Sequence, residues 1–401
     1  MPDLVSFRRE LVDQIRRLYE EEVKNPPIPR KFGDIPGSYD VITTEWLTAT
    51  LAPSVDMKGD TKRAVVKSFT LGPKDDGSAN RRRIELQWEE EEDDDAGNTG
   101  TDKYPTSVFC KAAHSVNNRI ILSVGGTVTE TIFYNDVRPL LDIEAPTAYF
   151  AGYNPTSWAA MLILRDMGSQ THFCTYQTTL TKTQLEEQVM ILAKLHGRFY
   201  ESKEPFFSQL LPYKQRFQNL LDVGAEQACR NGFHAAESVI PAQLFAREDE
   251  VWPATVKSVE RNASLPQTAV HGDVHLGNWY ITPSGNMGLT DWQAMARGHW
   301  SRDLAYMLGT AVSVANRRAW ENDAVALYVS EFHKAGGPKT TVDEAWLELR
   351  RQSFGALAYW TLTLTPSADM PDMQPEAASR EFIGRICTLM DDHDALDAFN
   401  Y

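Results

Sequence analysis

Basic residues are the minority charge in this chain. Lys and Arg number 40 against 55 Asp and Glu, a formal net charge of −15. A general nucleic-acid binder needs a basic face for the phosphate backbone, so a nucleic-acid polymer is not the expected partner. Seven of the acids form one run, Glu89 to Asp95, which reads as a solvated loop and leaves the remainder only moderately acidic. Cysteine is scarce too. Cys110, Cys174, Cys229 and Cys387 are scattered without metal-ligand spacing, which argues against a disulfide scaffold and fits a reduced, cytoplasmic protein. Long apolar runs are missing: the strongest, Trp158 to Leu164, is too short to span a bilayer. The first 25 residues set Leu4, Val5, Phe7, Leu11, Ile15 and Leu18 among charges. That is an amphipathic helix, without the apolar stretch of a signal peptide.

What is present is an ordinary globular composition over 401 residues, 42% hydrophobic and 24% charged, enough for one to three domains. Pro26-Pro27-Ile28-Pro29 ends the first helix. A short helix is expected over Thr43 to Leu51. Strands are expected over Arg63 to Gly72, Arg81 to Trp88, Thr106 to Ala112, Ala148 to Ala151 and Ala159 to Leu164, with one helix over Val128 to Leu141. Beyond Met167 the pattern is mainly helical: 183–201, 213–231, 242–261, 300–314, 320–335, 342–363 and 377–390. Strands followed by helices indicate an α+β protein of two lobes, divided at Leu164-Arg-Asp-Met167.

The chemistry concentrates in His271-Gly-Asp-Val-His-Leu-Gly-Asn278 and Asp291-Trp-Gln293. Asn278 to Thr282 reads as a strand, Pro283 to Asn286 as a turn, and Met287 to Thr290 as the returning strand. Such a hairpin delivers Asp291 beside Asn278. Two carboxylates and an amide then converge, a set of oxygen ligands suited to Mg²⁺ carrying phosphate groups. Asp-x-x-x-x-Asn is also the spacing of a kinase catalytic loop, with the later Asp where a second metal ligand belongs. Upstream, Lys111 ends an apolar strand and Glu130 opens the helix that follows. A Lys–Glu pair of this kind orients a cation toward nucleotide phosphates. His271 and His275 lack the glutamate of a zinc hydrolase motif; they read as structural, His271 bracing the loop and His275 bonding nearby backbone. Trp292 reads as packing.

Taken together, Lys111, Glu130-Thr-Ile-Phe-Tyr134, Leu195-His-Gly197, the two segments above and Arg302-Asp-Leu-Ala305 resemble a known family. They look like the aminoglycoside phosphotransferase and choline kinase group of the protein-kinase-like superfamily, in particular its ecdysteroid-kinase-like branch. The resemblance implies a bilobal protein-kinase-like fold: a small antiparallel-sheet lobe over 1–166, with residues 1–25 as a helical extension and one key helix, then a larger helical lobe over 167–401. It implies transfer of the γ-phosphate of ATP, with Mg²⁺, to a hydroxyl of a small molecule. Asp273 would orient the acceptor hydroxyl and take its proton, Asn278 and Asp291 would bind Mg²⁺, and Asp303 would tether the catalytic loop. The backbone of Leu164, Arg165, Asp166 and Met167 would meet the adenine edge.

The nucleotide loop departs from the pattern. No Gly-x-Gly-x-x-Gly is present, and between the first two strands only Gly77-Ser78-Ala-Asn80 is available. Gly77 and Ser78 either cap phosphates or form a plain hairpin turn. For the acceptor, candidate lining comprises His299, Trp300, Arg350, Arg351 and Trp360, although helical spacing alone also puts aromatics in cores. A protein kinase is disfavoured, since no Ala-Pro-Glu element or activation segment lies between Asp291 and Trp300. A catalytically inactive nucleotide-binding scaffold is disfavoured because all five catalytic positions are filled. The oligomeric state is open.

Overall fold

The computed structural model describes residues 4–52, 64–77, 79–90, 104–222, 224–366 and 374–400. Ser78 and most of the acidic run, from residue 91 onward, lie outside the described residues. The architecture is α+β, with an antiparallel sheet early and helices thereafter. By internal contacts the chain separates into two compact units. One comprises Met1–Arg138 with Pro146–Gly168, the other Pro139–Ala145 with Ser169–Tyr401. Seven residues in the middle of the first stretch of chain therefore belong to the second unit.

The first unit is built on one sheet. Its strands are β1 (Ala64–Leu71), β2 (Asp75–Asp76), β3 (Asn80–Glu90), β4 (Ser107–Ala113), β5 (Ala148–Tyr153) and β6 (Ala160–Arg165), in the order β1-β3-β4-β6-β5 with β2 on β3. Every pairing is antiparallel. Side chains alternate across the pleat. Ile84, Leu86, Val108, Cys110, Met161 and Ile163 therefore share one face and pack on Trp46, Leu47 and Leu51 of the helix Thr44–Leu51. That helix is started by Thr43, whose hydroxyl accepts the Trp46 N–H at 3.1 Å. The opposite face carries Arg81, Arg83, Phe109, Lys111, Leu162 and Leu164, by the pairings Arg81↔Lys111↔Leu162 and Arg83↔Phe109↔Leu164. The helix Leu4–Lys24 is held by Glu22, which reaches the buried Arg119 guanidinium at 2.7 Å.

The single helix expected over Val128 to Leu141 is not one helix. A helix over Val116–Ser123 precedes a second over Gly126–Ile132, a π-helical turn over Phe133–Val137 and a 3₁₀ turn over Arg138–Leu140. Ser115 caps the first by accepting the Asn118 N–H at 3.1 Å. Gly125, at φ +122°, then breaks the run in a conformation that side chains rarely adopt.

The second unit is mainly helical, with short strands β7 (His172–Phe173), β8 (Thr268–Val270), β9 (Trp279–Ile281), β10 (Met287–Leu289) and β11 (Ala296–Gly298). They form two small sheets, β10-β9-β7 and β11-β8. Expected helices divide here as well. The 213–231 run splits into Tyr213–Leu221 and Ala225–Ala235 at Gly224, φ +82°. The 242–261 run splits into Ala242–Phe245 and Glu248–Ser264. Helix contacts are close where glycine permits: a Cβ on Gly197 would meet the Phe332 carbonyl at 2.6 Å, and one on Gly232 the Thr361 carbonyl at 2.0 Å. Among the described residues no helix is long and apolar enough to cross a membrane.

Candidate functional site

The loop after β8 is shaped by one buried carboxylate. Asp303, on the helix Ser301–Thr310, accepts the His271 N–H at 2.6 Å and the Gly272 N–H at 3.1 Å. Arg302 Nη1 lies 3.1 Å away and His196 Nε2 3.3 Å away. Burial raises the Asp303 carboxyl, but the His196 hydrogen bond and the Arg302 charge help to outweigh burial and hold it below the ordinary carboxylate range. Gly272 makes the turn possible. Its φ is +87°, and a Cβ there would fall 2.3 Å from the Ala294 carbonyl oxygen. His271 is fully buried, edge-on to Trp292 with ring centroids 4.6 Å apart. Its Nδ1 accepts the Asp273 N–H at 3.2 Å and its Nε2 lies 3.0 Å from the Thr290 carbonyl. Nε2 therefore carries the proton. Burial pushes the imidazole's pKa down, against the pull of nearby carboxylates.

Asp273 is presented on this loop with both carboxylate oxygens engaged. Tyr306 donates its hydroxyl to Oδ1 at 3.0 Å, and Asn278 Nδ2 donates to Oδ2 at 3.2 Å. The side chain nonetheless remains 33% exposed, so a ligand can reach it. Asn278 Nδ2 also bonds the Asp273 carbonyl at 2.7 Å. Both bonds use the amide nitrogen, which fixes the amide orientation and leaves Oδ1 as the acceptor end. Asn278 and Asp291 are joined by the hairpin. Its register runs Leu289↔Trp279, and the Thr290 N–H continues it onto the Asn278 carbonyl at 2.9 Å. Asp291 follows immediately in a left-handed conformation, φ 61° and ψ 66°. Arg216, on the helix Tyr213–Leu221, ties down what comes next, its Nη2 donating to the carbonyls of Gln293 at 3.3 Å and Met295 at 3.0 Å. Among the described residues no three His, Cys, Asp or Glu gather as a metal-binding group. A site made of one amide, one carboxylate and phosphate oxygens has no such group, and this donor set fits a hard cation.

His275 is buried, its Nδ1 accepting the Gly277 N–H at 3.1 Å and its Nε2 3.7 Å from Asp273 Oδ2. Trp360, Phe382 and Tyr306 surround its ring, with centroids at 5.2, 5.9 and 6.4 Å. Of the five candidate lining residues, Trp360 is the one packed against this loop. The others are committed elsewhere. His299 bonds Ser301 through Nδ1 at 2.6 Å, and burial takes its pKa down to about 4. Trp300 packs on Tyr328 and Phe332. Arg350 donates to the Asp394 carbonyl, and Arg351 to the Ala398 carbonyl and the Glu348 carboxylate.

The sequence singles out neither Tyr306 nor Arg216, and His196 enters there only within Leu195-His-Gly197, with no role assigned. Tyr306 leaves a local trace: it lies three residues after Asp303, so on one helix face.

In the first unit, Lys111 on β4 pairs with Glu130 of the helix Gly126–Ile132, Nζ to Oε1 at 2.9 Å, both side chains nearly buried. Gly77 is strapped down by Asn118, whose Nδ2 donates to its carbonyl at 2.7 Å. At the far end of the same face, Asp166 accepts from Ser107 Oγ at 2.7 Å, from the Gly168 N–H at 3.1 Å and from Arg83 Nε at 2.6 Å. Burial raises the Asp166 carboxyl, and these donors together more than reverse that. The Arg165 N–H is taken by the Thr147 carbonyl at 2.8 Å, and Leu164 is paired on both sides within the sheet. Met167 follows at the end of this segment.

Solved structures similar to this one include a microcompartment-associated aminopropanol kinase, at 13% identity and TM-score 0.49 over 82% of this chain and 94% of that one. The choline kinase LicA from Streptococcus pneumoniae is similar at 12% identity and TM-score 0.42, over 84% and 94%. An aminoglycoside phosphotransferase from Streptomyces rimosus is similar at 15% identity and TM-score 0.42, over 70% and 88%. A search of curated protein sequences finds no match. The segment that holds the Asp303 clamp, the Asp273 loop and the Asn278–Asp291 hairpin is the one that aligns with a family model: residues 170–350 match that of the phosphotransferase enzyme family.

Proposed function

We propose that this chain is a small-molecule kinase that moves the γ-phosphate of ATP, in the presence of Mg²⁺, onto a hydroxyl group. The observation that carries the reading is the state of Asp273: a carboxylate anchored at both oxygens by Tyr306 and Asn278, yet still open to a ligand. A general base has to meet its proton in a fixed geometry, and such a base contributes roughly 10²–10⁴-fold. Asp273 orients the acceptor hydroxyl and receives its proton as the oxygen attacks the γ-phosphorus and the bond from that phosphorus to the bridging oxygen breaks, leaving ADP. Asn278 Oδ1 and Asp291 would hold Mg²⁺, which when bound neutralises charge on the phosphate oxygens. Lys111, paired with Glu130, is the cation for the nucleotide phosphates. Asp303 contributes by keeping two backbone N–H groups of the loop occupied, so that Asp273 does not wander. The bilobal protein-kinase-like architecture, with the nucleotide on 1–166 and the acceptor on 167–401, belongs to the same proposal.

The test is ADP release from ATP and Mg²⁺ across a panel of hydroxylated metabolites, comparing the native chain with Asp273→Ala. The variant is expected to fold and to lose turnover by about 10²-fold or more. Equal turnover in the variant overturns the assignment.

A further inference from the structure

The sequence between β1 and β3 carries no Gly-x-Gly-x-x-Gly, and an arginine stands beside Gly77 in that connection. Arg81 is the register partner of Lys111 across β3 and β4, so the two side chains leave the sheet on the same face. That face is not the core face: the residues packed on the helix Thr44–Leu51 are Ile84, Val108, Cys110 and Ile163, which alternate with it. The Arg81 guanidinium lies against Gly77, close enough that a Cβ there would sit 3.1 Å from Nη2. Its Nε is paired with Asp75 Oδ2 at 3.1 Å and its Nη2 with Asp75 Oδ1 at 3.3 Å.

The cations of this face differ in what holds them. Lys111 is paired with a nearly buried Glu130, and Arg83 with Asp166, whose side chain is only 9% exposed. Asp75, in contrast, is 68% exposed. An exposed pair of this kind is weak and readily exchanged. Phe109 and Leu164 lie two residues from Lys111 and Leu162 along the same face, toward Asp166. The row Arg81↔Lys111↔Leu162 thus carries two cations, and the next row, Arg83↔Phe109↔Leu164, carries two apolar side chains and one cation that Asp166 neutralises.

We propose that Arg81 binds the polyphosphate of the nucleotide beside Lys111, supplying through a guanidinium fork the contacts that glycine-loop amides supply in other kinases. A polyphosphate offers more charge than a single exposed carboxylate and accepts the same two-point fork, so it displaces Asp75. Gly77 is then the residue that leaves room for the fork. The inference rests on the phosphotransferase reading above, and it makes a separate demand.

The test is calorimetric affinity of the full chain for AMP and for ATP. Arg81→Gln is expected to weaken ATP by about tenfold while leaving AMP within about twofold, because only the added phosphates meet Arg81. Asp75→Asn removes the same ion pair but keeps the cation, and is expected to tighten ATP. Opposite effects at the two ends of one pair separate ligand contact from a structural role. Equal ATP affinity in Arg81→Gln, equal loss of AMP and ATP, or weakening in both variants overturns the proposal. If the native chain binds no ATP at all, the kinase reading falls and takes this inference with it. If the native chain binds ATP and Arg81→Gln binds it as well, only the inference falls.

Discussion

Tyr306 shows how a single hydroxyl can be placed to matter. It is buried, and burial followed by the adjacent Asp273 charge raises its pKa far above the ordinary phenol value, so it remains a donor at every working pH. Tyr306→Phe keeps the ring and removes only the bond to Asp273 Oδ1. Hydrogen bonds to charged groups are worth about 1.5–3 kcal/mol, so the expected outcome is a kcat lower by roughly 10- to 100-fold with KM for ATP little changed. Steady-state kinetics with any accepted substrate will show whether kcat falls alone. Asp303→Asn is a different kind of change. It removes a buried charge that faces Arg302, His196 and two backbone donors, and breaking such a cluster costs about 3–5 kcal/mol. A fall of that size in denaturant unfolding is expected; a loss under 1 kcal/mol would mean the cluster is replaceable.

Among the elements, the turn at Gly272 and the break at Gly224 make a paired experiment. Both have positive φ. At Gly224 a Cβ would meet nothing within 4 Å, whereas at Gly272 it would strike the Ala294 carbonyl at 2.3 Å. Gly224→Ala is expected to cost only the backbone penalty, about 1–2 kcal/mol, with turnover retained. Gly272→Ala must move the Asp273 loop and is expected to abolish turnover even where the chain still folds. Thermal melts alongside turnover distinguish the two.

The same elements explain what was legible beforehand. The β9–β10 hairpin could be read because its turn chemistry and alternation are local, and its register does bring Thr290 opposite Asn278. The order of the longer strands β1, β3, β4, β5 and β6 was visible from periodicity, as were the helices beyond residue 180, whereas the helix Val116–Ser123 was not. Lys111 was legible as a late position on its strand; Glu130, expected to open a helix, instead lies fifth in the helix Gly126–Ile132, and the two side chains are 2.9 Å apart. The splitting of the 128–141 and 213–231 runs was not, since helical periodicity persists across a break made by one residue such as Gly224. Strands of two or three residues, β7, β8 and β11, carry too few alternations to register. His196 and Arg216 reach their partners across 107 and 77 residues, and no local pattern records a contact of that span.

For the whole molecule, buried histidines set the response to acid. Burial takes His299 down to about 4 and His114 to about 3, the latter with help from the Arg119 charge. Each stays neutral when folded and gains a proton near pH 6.5 when unfolded. The unfolded state thus binds more protons below 6.5, and stability falls as pH drops from about 6.5 toward 4. His299 alone accounts for a loss on the order of 3 kcal/mol over that interval. Asp303 acts in a lower window. Its folded pKa is depressed, so its contribution holds above the unfolded value of 3.8 and disappears as pH falls through the folded one. Urea midpoints between pH 7.5 and 4.5 should therefore decline in the native chain and decline less in His299→Gln. Parallel slopes would contradict the assignment to His299.

The segment Pro139–Ala145 bears on how this polypeptide could be recombined. Its Glu144 accepts the Tyr280 hydroxyl at 2.8 Å, and its backbone carbonyl takes the Leu289 N–H at 3.1 Å. Both partners belong to the hairpin that carries Asn278 toward Asp291. A chimaera cut at one peptide bond near residue 167 would separate that hairpin from its own edge partner and expose an unpaired strand, a template for aggregation. Exchange of the second unit between relatives therefore needs two crossovers or a graft of seven residues. A shuffled library is expected to recover soluble hybrids only where residues 139–145 travel with 169–401.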